Sequence, residues 1–226
     1  MIRKISSLVK KIAWFTWLYI VYMIVSIPTI LSTTKKFNNN WWLNIVYIII
    51  GSILSIIFIS YLWKKFDGYR PEVTFIRSWT KEQRIGIYVS LLIILVVGEY
   101  LLPFVLSTSD NQNTIEKMFQ VNKFSIVLSA VIFGPIIEEL IYRGVFQKLF
   151  FQKIRTNWQL VVYVLLSAMI FTAIHGDSFS LDLLPYTFMG IVFAIGYVLL
   201  GDIKYSISFH IINNTIAMIS LFLIYK

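Results

Sequence analysis

Seven stretches of this chain stay apolar for close to twenty residues, and that length has a physical meaning. An α-helix rises about 1.5 Å per residue, so about 20 apolar residues cross a hydrocarbon layer about 30 Å thick. The runs lie near residues 12–31, 42–63, 85–106, 124–150, 157–175, 183–200 and 206–225. Inside lipid a backbone must satisfy its own hydrogen bonds, and runs of this length do so as helices. The expected fold is an all-α polytopic membrane protein of about seven transmembrane helices. It forms a single membrane domain over 1–226, with N-terminal helices in 1–123 and a four-helix core in 124–226. The first run is too long for the core of a signal peptide and no small-residue cleavage site follows it, so it reads as a retained anchor.

Composition agrees. Hydrophobic residues make up 58% of the chain and charged residues 14%, whereas soluble proteins carry about 25% charged residues. Cysteine is absent, which excludes disulfides, thiolate metal sites and a cysteine nucleophile. The net charge of +9 does not indicate nucleic acid, because the basic residues gather at the ends of the apolar runs.

Their distribution sets an orientation. With the N-terminus inside, the cytoplasmic side holds Arg3, Lys4, Lys10, Lys11, Lys64, Lys65, Arg70, Arg77, Lys81, Arg84, Lys148, Lys153, Arg155 and Lys204. The outer side holds Lys35, Lys36, Lys117, Lys123 and Lys226, and Arg143 lies within a run. Fourteen against five supports a multi-pass cell-membrane protein with a cytoplasmic N-terminus. Trp41 and Trp42 fit an interfacial belt. The polar segment 64–84, with Pro71, reads as a cytoplasmic loop carrying a surface helix around Trp79–Arg84.

Ionisable groups inside a bilayer are expensive, about 2.5–3.5 kcal/mol each at a helix centre, and persist when paired or functional. The fourth run carries three, in Ile137-Glu138-Glu139-Leu140-Ile141-Tyr142-Arg143. Neighbouring helical residues point about 100° apart, so the two glutamates have different targets. Glu139 and Arg143, four apart, share a face and can neutralise one another. That leaves Glu138 as the unpaired carboxylate. The alternative is a purely structural ion network.

The chain has two histidines, both in apolar runs. His175 ends the fifth, sharing a face with Phe171; His210 lies in the seventh, sharing a face with Asn214. A carboxylate can deprotonate water, histidine can relay protons, and an amide with an imidazole N–H can hold an oxyanion. This is the chemistry of hydrolysis. Glu138 and His175 lie 18 and 19 residues from the turn at Thr156, at similar depth. In a simple seven-span arrangement His210 falls near the cytoplasmic end of its helix, away from His175. Glu99 reads as a structural or neutral acid, Asp177 and Asp182 as loop residues. Ser167, Ser206 and Ser208 lack the surroundings of a nucleophile elbow. No internal symmetry suggests a transporter.

Taken in order, Glu138-Glu139-x-x-x-Arg143, Phe171-x-x-x-His175 and His210-x-x-x-Asn214 resemble the three motifs of the CAAX protease and bacteriocin-processing family, also called the Abi family. The resemblance covers about residues 124–225. It implies an intramembrane endopeptidase that acts on a membrane-associated peptide or protein, with links to bacteriocin maturation, pheromone processing or self-immunity. By the same resemblance Glu138 is the general base working with His175, His210 and Asn214 stabilise the oxyanion, and Glu139, Arg143 and Phe171 support them. The family is often labelled metalloprotease. No cofactor is the expectation here; a zinc site would use Glu138, His175 and His210. The implied partners are the peptide substrate and the bilayer, not nucleic acid. The contrasting reading is a non-catalytic scaffold or immunity-type binding protein of the same family.

Overall fold

The computed structural model describes residues 2–34, 40–66, 69–74, 79–102, 106, 109–176 and 180–225. Lys35, Lys36, Arg77, Asp177 and Lys226 therefore lie outside the described residues. The elements are α1 (Ile2–Leu31), α2 (Trp41–Phe66), β1 (Glu72–Val73), α3 (Lys81–Leu101) and α4 (Asp110–Val121). They continue with α5 (Lys123–Phe150), β2 (Lys153–Ile154), α6 (Asn157–Ala173), α7 (Leu184–Leu200) and α8 (Ile203–Ile224). Six of the helices have the length and composition to cross a membrane, and α6 is a shorter apolar helix. The fold is a polytopic, all-helical membrane protein; the two strands among the described residues are two residues each and pair in parallel.

Two differences from expectation concern polar segments. Trp79–Arg84 is not a separate surface helix: Thr80 and Gln83 form a reciprocal capping box that starts α3 itself at Lys81. And α4, too polar to register as a span, is a helix where a loop was expected.

The chain forms two compact units, residues 1–68 with 118–150, and residues 69–117 with 151–226. Each joins helices from before and after residue 123.

In the first unit α1, α2 and α5 pack together through polar clamps at helix ends. Lys11 Nζ donates to the Leu149 carbonyl at 2.6 Å and Lys148 Nζ to the Lys65 carbonyl at 2.8 Å. Each ammonium thus satisfies a carbonyl at the C-terminus of a neighbouring helix, where the dipole favours positive charge. At the other end Ser125 Oγ donates to the Thr29 carbonyl at 3.1 Å. Asn122, which caps α5, also reaches the Ser32 carbonyl at 3.3 Å.

The second unit packs α6 on α7 through small residues. A Cβ on Gly190 would stand 2.9 Å from Ala168 Cα, so glycine permits the approach. The Thr172 and Thr187 hydroxyls bond across this contact at 2.9 Å. Arg70 forms an ion pair with Asp202 and reaches the Gly201 carbonyl, which closes the turn between α7 and α8.

Candidate active site

The motif residues divide between the units: Glu138, Glu139 and Arg143 belong to the first, Phe171, His175, His210 and Asn214 to the second.

Helix α5, which carries the glutamates, is not uniformly α-helical. Residues Leu128–Phe133 and Leu140–Val145 form wide, π-type turns on either side of the α-helical Gly134–Glu139. Gly134 N–H donates to the Ser129 carbonyl and Phe146 N–H to the Ile141 carbonyl, five residues back in each case. Pro135 supplies a physical reason for the first. Its ring lacks an N–H and would press on the carbonyl four residues earlier, and a widened turn relieves that clash. Gly134 permits it, since a Cβ there would lie 2.7 Å from the Ser129 carbonyl oxygen.

Glu139 and Arg143 form the ion pair their spacing predicts: Nη1 to Oε1 is 2.9 Å, and both side chains are 0% exposed. The expectation for Glu138 needs correction. Its carboxylate is not without a partner, because Tyr22 Oη on α1 donates to Oε1 at 2.7 Å. This contact joins residues 116 apart. Its only trace in the sequence is a phenol in an apolar run, which needs a hydrogen-bond partner when buried.

In the second unit α6 ends at Ala173, and His175 sits on the turn beyond it, its N–H bonded to the Thr172 carbonyl. The imidazole folds back so that Nδ1 lies 2.7 Å from the Phe171 carbonyl oxygen. A carbonyl only accepts, so Nδ1 carries the proton and Nε2 of the neutral ring holds the lone pair. That is the tautomer a proton acceptor requires, and equally the one a metal ligand requires. The ring is flanked by Phe171, tilted at 46° and centroid to centroid 4.5 Å, and by Tyr186, stacked at 4.6 Å and 19°. Tyr186 is held in turn by Asn111 Nδ2, which donates to its hydroxyl at 3.0 Å, and by Ser109 at 3.2 Å.

His210 does not lie away from His175, as simple span counting placed it. Its ring meets the Phe171 ring edge-on at 5.4 Å, so Phe171 contacts both imidazoles. Phe193 stacks on His210 at 4.9 Å. Span counting places residues along single helices and does not record how α6, α7 and α8 pack, and that packing is what brings Phe171 and Phe193 onto His210. Asn214 follows His210 by one turn of α8, beside Asn213. Ser206 donates to the Phe193 carbonyl and Ser208 to the Tyr205 carbonyl. Within neither unit do three or more metal-ligating side chains gather among the described residues. The zinc set Glu138, His175 and His210 draws on both units.

Comparison with known proteins bears on the same segment. Residues 120–216 match the family model described as type II CAAX prenyl endopeptidase Rce1-like. That segment is similar to the Rce1-like CAAX protease family. A similar protein is YdiL of Bacillus subtilis (strain 168), which carries the provisional name of membrane peptidase; it is 33% identical over 111 residues. The match takes in 49% of this chain and 43% of YdiL, so the chain spans less than half the length of that relative. No solved structure matches the chain.

Proposed function

We propose that this protein is an intramembrane endopeptidase that hydrolyses a peptide bond of a membrane-associated peptide or protein. The observation that carries the reading is His175. Its Nδ1 is bonded to the Phe171 carbonyl and its ring is flanked by Phe171 and Tyr186, so the imidazole is held in one orientation, in a segment that matches the Rce1-like family model.

In the proposed reaction Glu138 takes a proton from the attacking water, His175 relays protons through Nε2, and the oxygen adds to the scissile carbonyl. The developing oxyanion accepts hydrogen bonds from the His210 N–H and the Asn214 amide, which act in the transition state. Collapse breaks the C–N bond and the proton passes to the leaving amine. Glu139 and Arg143 neutralise each other and hold α5. The N-terminus faces the cytoplasm, on the fourteen-to-five distribution of Lys and Arg. The donor chemistry also suits a divalent metal; zinc would be held by Glu138, His175 and His210 and would act as a Lewis acid on water.

The test uses wild-type protein and Glu138→Gln in proteoliposomes with a library of apolar, membrane-anchored peptides, products being read by mass spectrometry. Cleavage by wild type that Glu138→Gln abolishes supports the protease. Peptide binding without cleavage by either protein would favour a scaffold instead. Inhibition of the wild type by chelators, with stoichiometric zinc in the purified protein, would replace the metal-free route by the zinc route.

A further inference from the structure

We propose that Tyr22 is a positioning residue for Glu138, so that the first membrane helix is part of the proteolytic machinery. The inference rests on the protease reading above. A glutamate side chain has three rotatable bonds, and a carboxylate that must meet water in one direction gains from having one oxygen fixed. The Tyr22 hydroxyl has one proton, and it goes to Glu138 Oε1 at 2.7 Å, the usual length of a well-formed O–H···O bond. Gly134 lies beside this bond: a Cβ there would be in ordinary contact, at 3.5 Å, with both the Tyr22 hydroxyl and Glu138 Oε1.

The backbone on either side makes the contact reproducible. Helix α1 is bonded to α5 or its ends at Lys11, on one side of Tyr22, and at Thr29 and Ser32, on the other. Tyr22 therefore lies between two clamps that set the position of α1 against the glutamate helix. Nothing in the segment matched by the family, residues 120–216, contains this partner. The hydroxyl touches the base and not the substrate, so its loss misaims the carboxylate without weakening substrate binding.

The experiment measures kcat and KM in proteoliposomes, on the peptide that wild type cuts fastest from a library of apolar, membrane-anchored peptides. The proteins are wild type, Tyr22→Phe, Glu138→Gln and Tyr88→Phe, and turnover is counted per monodisperse, folded protein. Tyr88 bonds Ser208 at 3.1 Å in the second unit, so Tyr88→Phe deletes the same atom from another interhelical bond. The expected result is a loss of about 10- to 100-fold in kcat for Tyr22→Phe with KM unchanged, and wild-type kinetics for Tyr88→Phe. An unimpaired Tyr22→Phe beside an inactive Glu138→Gln overturns the role of Tyr22 and leaves the protease reading standing. A loss in KM alone, or an equal loss in Tyr88→Phe, also overturns it. No cleavage by wild type overturns the protease reading and the Tyr22 role together, and full activity in Glu138→Gln overturns Glu138 as the base and with it the Tyr22 role.

Discussion

Replacing Glu139 by glutamine removes one negative charge and almost no volume, and the surroundings fix what that costs. Glu139 and Arg143 are both 0% exposed and 2.9 Å apart. The guanidinium is always protonated, so Glu139→Gln leaves a buried positive charge facing a neutral amide. Breaking such a pair from one side typically costs about 3–5 kcal/mol, a large share of the roughly 5–15 kcal/mol that holds a domain together. At about 2–4 °C per kcal/mol for a chain of this size, the melting temperature should fall by roughly 6–20 °C. Glu138→Gln is the matched control. The amide oxygen still accepts the Tyr22 hydroxyl and no cation is stranded, so its midpoint should stay within about 2 °C of wild type. The assay is thermal unfolding in detergent, followed by the fluorescence of the seven tryptophans. A double change, Glu139→Leu with Arg143→Met, should recover most of the loss, because removing a buried pair whole is often neutral or stabilising. Equal midpoints for Glu139→Gln and Glu138→Gln would refute the division of labour between the adjacent acids.

Other outcomes follow from the second unit and from topology. Asn214→Ala should lower turnover about 100- to 1000-fold with little change in KM, read by steady-state kinetics in proteoliposomes; a rise in KM alone would place Asn214 in substrate binding. Tyr186→Leu should cost more turnover than Tyr186→Phe, since phenylalanine keeps the ring that stacks on His175 and loses the hydroxyl bonded to Asn111 and Ser109; equal losses would assign the effect to the hydroxyl. A single cysteine placed at Lys81 of this cysteine-free chain should react with an impermeant maleimide only after the cells are permeabilised; labelling of intact cells would invert the orientation.

The parts of this structure legible in the sequence are those governed by local rules. The apolar runs were readable because crossing lipid demands length and hydropathy within one segment, and the Glu139–Arg143 pair because one helical turn brings i and i+4 together. Helix α4 was missed because Asp110–Val121 is polar, so no span rule applies to it. The Tyr22–Glu138 bond and the Tyr186–His175 stack depend on how separate helices dock, which no periodicity records. The nearness of His210 to Phe171 has the same origin, since its ring is met by side chains from two other helices.

The widened turns on either side of Glu138 also change what sequence distance means along α5. Each takes up one more residue per turn than an α-helix would, so a position beyond it is out of phase with one before it by a full residue, about 100° of rotation. A helical wheel drawn through Lys123–Phe150 therefore assigns faces wrongly at one end or the other. Deleting one residue from Leu128–Phe133 would let that stretch close into an ordinary helix with its bonding unbroken. The segment would still cross the membrane, but Glu138 would turn away from the neighbours it now has, so a change of length there is felt as a loss of aim.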